Sequence, residues 1–209
     1  AIVVRPAVLL LDEPLGALDK MLREEMQVEL RELQQRLGIT AVFVTHDQEE
    51  ALTLSDQVAV MRNGVIEQIG APRAIYENPA TEFVAGFLGA SNFFDGRIVA
   101  RDGDGAVVAI AGGSVKILAA AGSVGSDVRL AVRPERLRLS PPGGEGLEAR
   151  VRDIVYRGST THYYLDGPAG PVLAYRQNAT PGAQDWSIGD RVSCGWDPAS
   201  GVVVSRSAP

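Results

Sequence analysis

Cysteine is almost absent from these 209 residues: Cys194 is the only one, which excludes an internal disulfide and fits a reducing cytosol. Lysine is nearly as scarce, with Lys20 and Lys116 alone, and arginine supplies the other cations. Alongside abundant alanine and glycine, that skew reads as genome composition rather than as a phosphate-binding task. No apolar run approaches the roughly 20 residues of a bilayer-spanning helix, and no signal peptide is visible. Positive charge is also lacking as a patch. Residues 1–90 carry 7 Lys+Arg against 14 Asp+Glu and residues 91–209 carry 13 against 12, so neither half is a basic nucleic-acid footprint. The pattern GxxxxGK[ST] occurs nowhere, so nothing supplies the backbone N–H cradle and lysine that hold a nucleotide's phosphates.

What is present is a chain of one or two domains whose 45% hydrophobic content suffices for a packed core. Val8 to Leu11 is an apolar run that ends in two adjacent carboxylates, Asp12 and Glu13. Such a run reads as a parallel strand buried on both faces that delivers acids to its C-terminal edge, where α/β sheets place their ligands. Thr40 to Thr45 repeats the arrangement, with His46 at its end. Two acids and a histidine at neighbouring strand ends suit metal-assisted attack of water on a phosphate. Read bare, the same residues simply end a strand and cap a helix at Asp47, and both readings stand at this point. Between the strands, Leu22, Met26, Leu30, Leu33 and Leu37 recur at spacings of four and three, which predicts a helix over Lys20–Leu37 with Gly38 beyond its end. Asp47 with Glu50 has capping-box form and opens a helix over Gln48–Leu54. A hairpin from Gln57 to Ile69 turns at Asn63-Gly64, and short helices follow from Pro72 and over Thr81–Leu88.

These segments closely resemble the back half of an ATP-binding-cassette (ABC) transporter ATPase. LLLDEP (Leu9 to Pro14) is similar to the family's Walker B strand, GALD (Gly16 to Asp19) to its D-loop and THDQEEA (Thr45 to Ala51) to its histidine switch. The resemblance covers roughly residues 1–90. It implies that Asp12 holds Mg²⁺ through water, that Glu13 polarises the attacking water, that His46 senses the γ-phosphate and that Asp19 reaches the partner subunit. The family's Walker A loop and LSGGQ signature are both missing, and Ala1 to Pro6 looks like the stretch that follows the signature. With no initiator Met, the expectation is a C-terminal piece of an ATPase that does not turn over ATP alone. Its sheet should then keep an exposed edge or an uncovered apolar face.

After Gly89 the texture changes to short β-rich runs separated by glycine-rich turns. One set spans Phe94 to Leu139, Pro141-Pro142-Gly143-Gly144 interrupts as a linker, and a second set spans Glu148 to Ser205. Two sets of about five short strands suggest two small OB-type barrels. SNFFDGRI (Ser91 to Ile98), AVRPERLRL (Ala131 to Leu139), YRGSTTHYYL (Tyr156 to Leu165) and GDRVSCGWDP (Gly189 to Pro198) resemble the paired regulatory TOBE domains that end ABC ATPases of bacterial importers. Ser91-Asn92-Phe93-Phe94, Arg176-Gln177-Asn178 and Trp196-Asp197-Pro198 look most like spermidine/putrescine-type importers, with iron(III) or phosphonate import as alternatives. Tyr156, Tyr163, Tyr164, Tyr175, Trp186 and Trp196 read as core residues rather than base-stacking platforms, because near-zero local charge leaves no electrostatic groove. His162 has no second His or Cys nearby and reads as a cross-strand or solvent-facing residue. Arg133 and Glu135, flanking Pro134, read equally as functional or as turn-fixing.

The expected fold is α/β, a partial P-loop NTPase core with a mixed sheet over residues 1–90, followed by all-β OB-type TOBE barrels over 91–209. The resemblance implies a parent that is an ABC-type ATPase translocase using ATP and Mg²⁺. Its implied partners are a second copy of the ATPase subunit, transmembrane permease subunits and, indirectly, a periplasmic solute-binding protein, but no nucleic acid. The implied location is cytoplasmic, peripheral to the inner face of the membrane. A competing reading makes the chain a non-catalytic regulatory or dimerisation module.

Overall fold

A computed structural model describes residues 6–118, 122–179 and 184–206. Ala1 to Arg5, most of the stretch read as following the signature, lie outside the described residues. The chain divides into two compact units after Asn78. It is mostly β-sheet with few helices, and among the described residues no helix is long and apolar enough to cross a membrane.

In the first unit, β1 (Val8–Asp12) and β2 (Thr40–Val44) pair in parallel, with Val8 opposite Thr40 and Asp12 opposite Val44. The crossover is α1 (Lys20–Leu37), whose bounds are those the leucine spacing predicts. The Asp19 carboxylate accepts the Leu22 N–H at 3.0 Å to start it, and Gly38 at φ 62° closes it. Leu30, Leu33 and Leu37 line one crevice with Leu9, Leu11, Ala41 and Phe43, so α1 covers a single face of the strand pair. The opposite face stays open: Val8, Leu10, Val42 and Val44 are 48%, 75%, 46% and 58% exposed. Burial on both faces, as read from the apolar runs, is therefore not what the described chain provides. α2 (Gln48–Leu54) follows, then the antiparallel hairpin β3 (Val58–Arg62) and β4 (Val65–Gly70). Its two-residue turn puts Asn63 and Gly64 at φ 50° and 78°, the left-handed pair that suits strand twist. Pro72 opens α3 (Pro72–Glu77), where a missing N–H costs nothing.

The capping box read at Asp47 and Glu50 forms only in half. Asp47 accepts the N–H groups of Glu49 and Glu50, but Glu50 does not reach back to the Asp47 N–H. That N–H donates to Thr45 Oγ1, and the Thr45 hydroxyl donates to Glu50 Oε2 at 2.7 Å. Thr45 thus stands between the two ends of the box, and Glu50 is buried against it.

The second unit begins with α4 (Glu82–Phe87), capped by Thr81. Ten strands follow among the described residues: β5 (Asn92–Asp102), β6 (Gly105–Ile110), β7 (Gly113–Ile117), β8 (Asp127–Val132), β9 (Leu137–Ser140), β10 (Leu147–Arg157), β11 (Thr160–Gly167), β12 (Gly170–Gln177), β13 (Arg191–Trp196) and β14 (Val202–Val204). They form two five-stranded sheets, ordered β14-β8-β5-β6-β7 and β12-β11-β10-β13-β9. The strand count matches the sequence reading, but the grouping is corrected at both ends. Leu137 to Leu139 leaves the first set to pair with β13, and Val202 to Val204 leaves the second to pair with β8. The exchange has a packing cause: one continuous core draws Phe94, Ile98, Val108 and Leu130 from the first sheet and Leu147, Tyr163, Leu165 and Val192 from the second. The Pro141–Gly144 run is accordingly a connection inside one sheet rather than a linker between separate bodies. Gly146 permits the entry to β10, since at φ 115° an added Cβ would lie 2.2 Å from the Cys194 carbonyl oxygen.

Of the aromatics expected in the core, Tyr163 and Trp186 are buried and Trp196 stacks on Phe94 at 5.2 Å, whereas Tyr156 is 73% exposed. Cys194 is a core residue whose thiol is pushed up to about 12 by burial, which leaves it inert as a nucleophile.

Candidate functional site

The site is assembled where two parallel strands end side by side. Pairing of Asp12 with Val44 fixes the register, and the Glu13 N–H donates to the Val44 carbonyl at 2.8 Å, so the chain after β1 is held beside the chain after β2. Glu13 sits at φ 45°, in the left-handed region that a glutamate rarely adopts. Such a conformation costs on the order of 1–3 kcal/mol and clusters at sites where a side chain must be aimed. Here it aims the carboxylate at His46: Glu13 Oε1 and His46 Nδ1 are 2.9 Å apart. A carboxylate only accepts, so Nδ1 carries the proton and Nε2 faces away from the pair. The His46 pKa is raised above the ordinary 6.5, first by the hydrogen bond and charge of Glu13, then by Asp47 and Glu50. Both side chains remain accessible, 53% for Glu13 and 76% for His46, as groups that must meet a ligand would be.

Asp12 is exposed one residue before Glu13, and among the described residues no cluster of three or more His, Cys, Asp or Glu could hold a metal ion. A metal there would take oxygen from Asp12 and the rest of its shell from water and ligand, the habit of Mg²⁺. Asp19, the remaining sequence-derived candidate, caps α1 and is exposed. The structure therefore brings Glu13 and His46 into direct contact and leaves Asp12 beside them and Asp19 at a helix start.

Two arginines and an asparagine were not foreseen in the roles they have. Arg23 of α1 donates to both Asp47 and the Leu18 carbonyl. Arg133 is buried and its Nη1 donates to the carbonyls of Ala85, Gly89 and Ala90 and to Ser91 Oγ at 2.8 to 3.2 Å, so it caps the C-terminal end of α4. These contacts reach back to α4 rather than across the turn between β8 and β9, where the turn-fixing reading puts them. Asn92, also buried, gives its amide to Leu173 as a strand neighbour would, accepting from the Leu173 N–H at 2.7 Å and donating to its carbonyl at 2.9 Å. His162 stacks on Tyr175 at 3.8 Å between centroids, the cross-strand role that the sequence suggests. Its pKa is lowered, first by burial and then by Arg157.

Residues 130–204 match the family model described as "TOBE domain". The chain is 48% identical over 202 residues to the "Spermidine/putrescine import ATP-binding protein PotA" of Rubrobacter xylanophilus, covering 94% of this chain and 53% of that protein. It is 45% identical to the protein of the same name from Thermobifida fusca, over 98% of this chain and 55% of that protein. It is 43% identical to the "Uncharacterized ABC transporter ATP-binding protein YdcT" of Escherichia coli K12, over 99% of this chain and 53% of that protein. The chain thus belongs with the ABC-transporter ATP-binding subunits and corresponds to their C-terminal part, TOBE domain included. Within that family the similarity is to PotA-type proteins. The chain spans about half the length of the curated relatives it matches.

Proposed function

We propose that this chain is the C-terminal part of the ATP-hydrolysing subunit of a bacterial importer, of polyamine (spermidine/putrescine) type, and that Glu13 and His46 are its reactive pair. The observation that carries the reading is the 2.9 Å contact between them at the ends of two parallel strands, with Glu13 held in a strained backbone conformation. The relatives' names support the substrate class.

ATP and Mg²⁺, when bound, would supply the phosphoryl group and the charge that offsets its transfer. Asp12 would hold the ion through water. The Glu13 carboxylate orients a water molecule and draws its proton, with Oε2 free for that task while Oε1 engages His46. Because Nδ1 carries the proton toward Glu13, neutral His46 offers Nε2 only as a lone pair, which a phosphate oxygen repels. The imidazolium donates from Nε2 instead, and the pairing with Glu13 favours that form. Asp19, exposed at the start of α1, would meet a second copy of the subunit. The fold proposed for the first unit is a partial P-loop NTPase core. Coupling to transmembrane permease subunits at the inner face of the membrane, with a periplasmic solute-binding protein acting indirectly, completes the reading.

The test is Glu13→Gln in the longer ATP-binding subunit that contains this chain. The amide keeps size and a hydrogen bond to His46 but cannot take a proton, so turnover should fall by a factor of about 10² or more while ATP binding persists. Near-normal hydrolysis by Glu13→Gln would overturn the assignment. The 209-residue chain itself, which contains no phosphate loop, should show negligible hydrolysis and weak nucleotide affinity by calorimetry.

A further inference from the structure

α1 and α2 are clamped to one another at both ends of α2, and both clamps are arginines of α1. Arg23 Nη1 donates to Asp47 Oδ2 at 2.9 Å, while its Nη2 donates to the Leu18 carbonyl at 2.9 Å. Arg31 Nη1 donates to the Thr53 carbonyl at 2.9 Å and its Nη2 to Asp56 at 3.3 Å. Eight residues of helix separate the two arginines, about 12 Å, which matches the roughly 10 Å of the seven-residue α2. One guanidinium therefore joins the residue before Asp19, at the start of α1, to the residue after His46, at the start of α2. The Arg23–Asp47 pair is mostly shielded, at 29% and 22% side-chain exposure, so water screens it less than a surface pair.

We propose that Arg23 is a positioning residue that transmits the state of the Gly16–Asp19 loop to His46. The proposal rests on Glu13 and His46 being the reactive pair. A force on Asp19 reaches Leu18 and the first turn of α1, passes through the planar fork of Arg23 to Asp47, and so turns the backbone that carries His46. The Arg31 clamp prevents α2 from absorbing the movement by sliding along α1. Lysine at position 23 would satisfy Asp47 but, having a compact ammonium, would not span both partners as the fork does.

The experiment is a double-mutant cycle on the 209-residue chain, read at the His46 ring resonance at fixed pH, with His162 replaced by Asn to leave one histidine signal. Asp19→Ala should shift the His46 resonance when Arg23 is present, and the shift should be largely lost in the Arg23→Ala background. Arg23→Lys should keep the melting temperature near that of the parent chain yet transmit only a small part of the shift, an outcome that a purely stabilising ion pair would not give. If Arg23→Ala fails to fold, the lysine variant alone decides. An unchanged His46 signal in Asp19→Ala, or an equal shift whether residue 23 is Arg, Lys or Ala, would overturn the proposal. Failure of the catalytic reading shows elsewhere, as normal turnover in Glu13→Gln.

Discussion

The two units differ most in apolar cover. Among the described residues of 79–209 the main core holds twenty buried residues, most of them from the two sheets, and Leu130, Leu165, Ile98, Val108 and Val192 there are fully shielded. Residues 1–78 pack α1 on one face of a two-stranded sheet and leave four apolar side chains open on the other. Polar contacts supplement that cover: Arg23, Arg31, Thr45 and Asp47 tie helices and loops where apolar contact is thin. The difference teaches where each unit can tolerate exposed, strained chemistry. Glu13 and His46 lie in the unit with the least apolar cover, in keeping with the low local stability common at binding loops.

The largest effect should come from the second core. Leu130→Ala removes a fully buried side chain and should cost about 2–5 kcal/mol, whereas Leu10→Ala, at an exposed site, should stay within about 0.5 kcal/mol. Trp186 and Trp196 both belong to the second unit, so denaturant unfolding followed by tryptophan fluorescence reports that unit, while far-UV circular dichroism includes α1. Comparable losses from the two substitutions would break the contrast.

Next in size is Arg133→Ala, which strands the carbonyls of Ala85, Gly89 and Ala90. It should cost roughly 3 kcal/mol in the same fluorescence melt, and Arg133→Lys should recover only part. A loss under about 0.5 kcal/mol, typical of an ordinary surface change, would show that α4 does not need the cap.

A smaller and concentration-dependent effect belongs to the open face of the first unit. Light scattering should find self-association in the full chain, reduced by Leu10→Lys, which places a charge in the centre of the patch. A strictly monomeric parent chain at high concentration would mean that the face is inert.

The smallest effect separates the two histidines. By NMR titration His46 should protonate above 6.5 and His162 below it, and Glu13→Gln should bring His46 back toward the ordinary value. The linkage signs are opposite. The raised His46 value adds stability that is complete below 6.5 and fades as pH climbs through its folded pKa. The depressed His162 value adds stability present above 6.5 that is lost as pH falls toward its folded pKa. Titration of both at one value would remove the electrostatic distinction between the units.

Local chemistry was readable from the sequence and long-range pairing was not. The leucine spacing fixed α1 because helix periodicity is written within the helix itself, and Asn63-Gly64 fixed the hairpin for the same reason. The nearness of Glu13 and His46 followed from two apolar runs ending in polar residues, given parallel pairing. The exchange of β9 and β14 between sheets left no such trace, because each strand is three or four residues long and its partner is chosen by a core spanning the whole unit. Arg23 was hidden in the polar stripe of α1, where nothing distinguishes a clamp from a solvated arginine. Asn92 stood out only as a motif letter, and its stand-in for a strand neighbour depends on Leu173, 81 residues away.

The position of β14 has a consequence for biosynthesis. Val204 is buried beside β8, and the Ser205 backbone exchanges hydrogen bonds with Ala80 and Glu82 at the entrance to α4. A ribosome would thus release α4, β5 and β8 well before β14, leaving the β8 edge and the adjoining core open until β14 itself emerges. The sheet can be completed at β8 only once β14 has emerged, and for that interval the β8 edge stands open to other nascent chains.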